Sequence, residues 1–177
     1  MSNFEKFTSK NEVRQFIKVN RPQALPVLGL YKNLSQVLDS QKGHWAGFKA
    51  LSDEPPLEGT LPSRIDWYFP VIQGDEMSFA QSEAWTRSPL GVMEPVGGTA
   101  KSPQEMDGFL VPGQAFSKKG ERIGRGRGCY DRALANTQGL KVGVCFDFQF
   151  FTELPSQDHD VRMDVVVTEK EIIWLKR

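Results

Sequence analysis

The chain has 177 residues, 22 basic and 22 acidic side chains, and a formal net charge of zero. That length is enough for one domain spanning 1–177 with a sizeable core, and the balanced charge argues against a dedicated nucleic-acid binder. Two cysteines, Cys129 and Cys145, without a C-x-x-C pair, point to a reduced, cytoplasmic protein with no zinc site. The first residues lack the apolar core of a signal peptide, and no apolar run approaches membrane-spanning length.

Ser9 to Glu12 fit a capping box that opens a helix with Val13, Phe16 and Ile17 on one face. That helix should stop before Arg21 and Pro22. Lys10 and Arg14 share another face, which on spacing alone reads as solvated. A second helix is predicted over 28–38, with Leu30, Leu34, Val37 and Leu38 at helical spacing. Residues 44–51 and 65–72 read as strands, 52–56 as a loop, and 76–80 as a hairpin partner. Residues 85–98, with Trp85, Leu90, Val92 and Met93 among prolines and glycines, read as a loop packing across the body. Residues 108–111 are an apolar strand that stops at Pro112. Further strands are expected at 141–146, 164–168 and 172–175. Phe148, Phe150 and Phe151 read as core or lid, and 155–160 as a turn. Strands alternating with helices predict an α/β fold with a mostly parallel sheet flanked by helices. Ligands of such sheets sit at the carboxyl ends of the strands.

The most informative stretch runs from Arg122 to Arg132. Gly124, Gly126 and Gly128 alternate with Arg125 and Arg127, and Cys129, Tyr130 and Asp131 lead into a helix. Glycines let backbone approach a ligand, a loop entering a helix offers unpaired N–H groups, and guanidinium forks match phosphate oxygens. Asp131 is placed where it could hold a Mg2+ bridging those oxygens. It is neither a Walker A loop nor a standard dinucleotide fingerprint. A Gly/Arg surface loop or an RNA patch is the plainer reading. Downstream, Asp158 or Asp160 can cap a turn, or Asp160 can face Asp131 as a second carboxylate; spacing leaves both open.

Taken together, these segments resemble the 5-formyltetrahydrofolate cyclo-ligase family, also called methenyltetrahydrofolate synthetases. The resemblance is carried by residues 110–116 and 120–132, by Lys10 and Arg14, by Phe69-Pro70, Met77 to Phe79 and 91–95, and by 155–168. It implies a three-layer α/β fold of the sugar-phosphate isomerase and CoA-transferase type. It also implies an ATP-dependent ligase that converts 5-formyltetrahydrofolate to 5,10-methenyltetrahydrofolate with Mg2+, as a monomer without nucleic-acid or membrane partners. Carried over by position, Lys10, Arg14, Arg122, Gly124, Arg125, Gly126, Arg127, Gly128 and Tyr130 would bind ATP. Arg125, Arg127 and Tyr130 would be catalytic. Lys49, Glu54, Trp85, Arg125 and Gly126 would meet the folate, and Asp131 and Asp160 the metal. The chain departs from the family pattern at Cys129 and Pro55-Pro56. Those departures motivate the alternative of a non-catalytic folate- or nucleotide-binding member. An RNA-binding protein using the Arg/Gly loop is a second alternative, and a sugar-phosphate isomerase a third, without an evident acid–base pair.

Overall fold

The computed structural model describes residues 6–89 and 91–175. Leu90 and the first five residues, used in the readings above, lie outside the described residues. Helix α1 (Lys10–Val19) is N-capped by Ser9, whose hydroxyl accepts from the Glu12 N–H at 3.3 Å. Glu12 reaches back to the Thr8 N–H at 2.8 Å and the Thr8 hydroxyl at 2.6 Å, one residue further than the expected capping box. Helix α2 (Val27–Leu38) buries Leu30, Leu34, Val37 and Leu38, the predicted stripe.

Strands β1 (Gly43–Ala46), β2 (Ile65–Gln73), β3 (Glu76–Ala80), β4 (Trp85–Arg87), β5 (Met93–Pro95), β6 (Ala100–Lys101), β7 (Gly108–Val111), β8 (Ala115–Ser117) and β9 (Arg122–Ile123) precede helix α3 (Cys129–Leu134). Strands β10 (Leu140–Val144), β11 (Phe150–Phe151), β12 (Val165–Val167) and β13 (Ile172–Trp174) follow it. The main sheet has the order β13-β12-β10-β7-β1-β2-β3-β6. Its centre, β12 to β2, is parallel throughout, and its outer pairs are antiparallel.

Successive residues of the central strands bury opposite faces. Leu110, Val142, Val144, Val165 and Val167 pack with the apolar stripe of α2. Phe109, Val111 and Val166 pack on the other side with Cys129 and Leu134 of α3. A sheet covered on both faces is why these strands read as near-continuous apolar runs. The result is helix, sheet and helix in three layers. Helix α1 lies on a smaller sheet of order β11-β8-β9, where Val13 and Ile17 meet Ala115, Ile123 and Phe151.

Three expectations need correction. The strand foreseen over 44–51 ends at Ala46. Its last tie to β2 is the Gly47 N–H donating to the Tyr68 carbonyl at 2.8 Å. Tyr68 and Pro70 share the strand phase that faces β1, and proline has no N–H to offer. Pairing therefore stops, and the chain after β1 swings out of the sheet. Second, 85–98 contains a hairpin in place of a plain loop, with Trp85 opposite Pro95 and Arg87 opposite Met93. Pro89 and Gly91 fall at its turn, where Gly91 takes φ +78° and its N–H donates to the Ser88 carbonyl at 2.9 Å, whereas Pro95 lies on β5. Third, β8 and β9 intervene between β7 and the glycine loop, so Arg122 sits on a strand. Among the described residues no helix is long and apolar enough to cross a membrane.

Candidate active site

The loop 124–128 joins β9 to α3 above the carboxyl end of β7. Gly126 and Gly128 have φ of +98° and +67°, a region that side chains other than glycine enter at a cost. Gly124 serves differently: a Cβ there would lie 2.8 Å from Nη1 of Arg122. Its missing side chain leaves room for a guanidinium that is almost wholly buried.

That guanidinium ties three segments together. Arg122 Nη1 donates to the Pro112 carbonyl at 3.2 Å, Nη2 donates to Asp131 Oδ2 at 3.2 Å, and the group lies 5.4 Å from the Tyr130 ring centre. Asp131 Oδ1 accepts from the Val161 N–H at 3.4 Å. Helix α1 is locked on from the other side. Arg14 Nε donates to the Gly124 carbonyl at 3.0 Å, and Lys10 Nζ lies 2.6 Å from both oxygens of Asp160. The face of α1 that spacing suggested to be solvated therefore points into the site. Burial opposes ionisation of Asp160, but hydrogen bonds from Lys10 and the Gln157 N–H, with the Lys10 charge, outweigh it and hold its carboxyl below the ordinary value.

Arg125 is half-exposed and reaches across to the loop after β1. It pairs with Asp53 and donates to Glu54 Oε1 at 3.2 Å. Glu54 also accepts from the Leu51 N–H at 3.0 Å. Burial pushes its carboxyl above the ordinary value, beyond what that hydrogen bond and Arg125 offset. Burial, with the nearby Glu54 charge, likewise pushes the Tyr130 phenol well up, so it stays protonated.

These groups surround one cavity of about 440 Å³. Six cations line it (Lys10, Arg14, Lys49, Arg122, Arg125 and Arg127) against three carboxylates, Glu54, Asp131 and Asp160. A chain with no net charge thus concentrates positive charge in one cleft, the condition for drawing in an anion. The opposite wall is apolar: Phe48, Leu51, Pro70, Ile72, Met77 and Val92. Such a cleft suits a ligand with a polyanionic end and a flat, apolar body.

Of the residues singled out from sequence, the cavity gathers all except Trp85. Trp85 packs edge-on against Phe69 at 5.1 Å and lies 4.8 Å from Lys49 Nζ, behind the lining. Trp85, which the resemblance places against the folate, touches the lining residue Lys49 and does not itself line the cavity. The apolar wall and the Asp53 partner of Arg125 were not foreseen as site residues. Isolated apolar residues at strand ends look like core, and only Pro70, interrupting a strand pattern, marks that edge locally. Among the described residues no group of three or more His, Cys, Asp or Glu side chains is arranged to hold a metal. Asp131 and Asp160 do line the same cavity, each beside a cation. Two carboxylates without a cage fit a Mg2+ bound mainly through phosphates and water.

Fold and cleft define an α/β protein with a cation-lined pocket at the carboxyl ends of its parallel strands. Residues 61–169 match the 5-formyltetrahydrofolate cyclo-ligase family. The chain belongs to that family. It is 30% identical over 111 residues to the probable 5-formyltetrahydrofolate cyclo-ligase of Schizosaccharomyces pombe, covering 54% of each chain. It is 37% identical over 70 residues to the cyclo-ligase of Escherichia coli K12, covering 38% of each. These matches span about half or less of the curated relatives. The solved 5,10-methenyltetrahydrofolate synthetase of Aquifex aeolicus is 31% identical, with a TM-score of 0.79 over 95% of this chain and 93% of that one. A synthetase structure from Mycoplasma pneumoniae, at 21% identity and TM-score 0.71, shares the fold over 90% of this chain and 98% of that one.

Proposed function

We propose that the chain catalyses ATP-dependent closure of 5-formyltetrahydrofolate to 5,10-methenyltetrahydrofolate, with release of ADP and phosphate. The observation that carries this reading is the cavity itself, where the Arg/Gly loop and two α1 cations face an apolar wall. The cationic side suits a triphosphate and the apolar side a pterin.

A formamide is a poor electrophile because its nitrogen lone pair is delocalised. Transfer of the γ-phosphoryl group to the formyl oxygen converts that oxygen into a leaving group. N10 of the same folate attacks the formyl carbon, its proton passes to solvent, and phosphate departs. No covalent enzyme nucleophile is needed. The protein must align the formyl oxygen with phosphorus and neutralise developing charge. Lys10, Arg14 and Arg127 would hold the phosphates, and Arg125 the transferring group. Glu54 would accept from pterin N–H groups, and Tyr130, protonated, would donate a hydrogen bond. When bound, Mg2+ held beside Asp131 and Asp160 would neutralise phosphate charge. Arg122, already fixed by Pro112 and Asp131, would hold the loop in shape.

The Arg/Gly loop closes a cleft and is tied to α1 and to Glu54, which favours a small ligand over RNA. Purified protein with Mg-ATP and 5-formyltetrahydrofolate should develop the ultraviolet absorbance of methenyltetrahydrofolate. Folded protein that gives no such absorbance overturns the reading. Calorimetric binding of ATP without turnover would select a non-catalytic binding module instead.

A further inference from the structure

Lys49 stands apart from the other cations of the cavity. Its neighbours come from elements remote from the Arg/Gly loop. The ammonium lies 4.8 Å from the Trp85 ring and 5.4 Å from the Phe69 ring, and 3.6 Å from Glu58 Oε1. Trp85 and Phe69 are themselves packed edge to face at 5.1 Å. Two aromatic faces thus hold a lysine that lines the cavity on the side of the apolar wall. Its carboxylate partner is weak: the Glu58 side chain is 60% exposed and the pair is long. An exposed pair of that kind contributes little and is readily exchanged.

Taking the proposed substrate as given, its far end supplies a partner. Beyond the pterin and the benzoyl ring, 5-formyltetrahydrofolate ends in a glutamate with two carboxylates, ionised at neutral pH. With the pterin on the apolar wall and its formyl oxygen turned toward the Arg/Gly loop, that tail needs a cation away from the loop. We infer that Lys49 exchanges Glu58 for a carboxylate of the substrate's glutamate tail, and that Trp85 and Phe69 are positioning residues that hold the ammonium for it. Cation–π contact restrains the lysine without neutralising it, so the charge stays available to an anion. This assigns Trp85 a part in substrate binding although it does not line this cavity.

The test compares 5-formyltetrahydrofolate with its analogue in which an uncharged methylamide replaces the glutamate, leaving no carboxylate beyond the benzoyl ring. Lys49→Met should raise KM for the first about fivefold to tenfold, as expected for one partly exposed charge-assisted hydrogen bond. KM for the tail-free compound, KM for ATP and kcat should not move, and Lys49→Arg should restore most of the loss. Trp85→Leu should raise KM with the same selectivity by about threefold, and Trp85→Phe, which keeps an aromatic face, by less. An unchanged KM in Lys49→Met, or an equal rise for both compounds, overturns the inference while leaving the proposed reaction standing. If the wild-type chain binds folate without turnover, the same comparison read as Kd by calorimetry decides the tail contact alone. A chain that neither binds nor turns over the folate overturns both.

Discussion

The cationic end of the cavity comes mostly from one short stretch, 122–131, with α1 laid across it. The apolar end is assembled from Phe48, Pro70, Ile72, Met77 and Val92, on β2, β3 and the segments after β1 and before β5. The first is held by directional bonds: Arg122 to Pro112 and Asp131, Arg14 to Gly124, Lys10 to Asp160. The second is held by apolar packing at strand ends and the segments beside them, and its side chains make no directional bonds. A charged end prearranged by its own ion pairs lowers the reorganisation that charge transfer would require. An apolar end set by the sheet can accept a flat ring with little specificity beyond shape.

That contrast can be broken at several points. The largest effect is expected at Arg122, whose guanidinium is nearly inaccessible. Arg122→Ala strands Asp131 and the Pro112 carbonyl, and urea unfolding should show a loss of about 3–5 kcal/mol. A loss below about 1 kcal/mol would show that the loop holds itself. Arg125→Ala touches a half-exposed side chain, so its effect should fall on turnover. A drop of about 10²–10³ in kcat is expected, with a smaller shift in the urea midpoint than Arg122→Ala gives.

A finer contrast lies in the carboxylates. Asp160 has a lowered folded-state pKa, so its contribution is present above the unfolded value and is lost as pH falls through the folded one. Glu54 has a raised folded-state pKa; its contribution is present below the unfolded value and is lost as pH rises through the folded one. Asp160→Asn should therefore flatten the acid limb of stability against pH, whereas Glu54→Gln should steepen it. Identical limbs in both variants would mean that the two sites do not differ. The smallest effect is expected at Cys129, a buried thiol in the first turn of α3. Cys129→Ala should keep turnover and cost no more than about 1 kcal/mol in urea unfolding. Abolished turnover in a folded variant would give the thiol a chemical role.

Much of the fold was legible because its signals are local. The stripe of α2, the Ser9 cap and the paired β2 and β3 each lie within one window of sequence. The two-sided burial of β7, β10 and β12 showed as continuous apolar runs. The Arg/Gly loop was legible for the same reason, since glycine spacing and charge sit side by side. The β4–β5 hairpin was missed because its prolines and glycines, taken together, read as a loop. The early end of β1 was missed because the missing N–H that stops it belongs to Pro70, on a different strand.

By itself the sequence determined the two longer helices and the central strands, which of their faces are apolar, and that one loop could meet phosphate. These follow from backbone propensity and periodicity over a few residues. Only the tertiary structure decided that Arg125 meets Glu54 across 71 positions of chain, that Lys10 meets Asp160 across 150, and that Lys49 rests against Trp85. Such pairings depend on where the sheet brings strand ends together, and charge acts through space with no memory of chain distance.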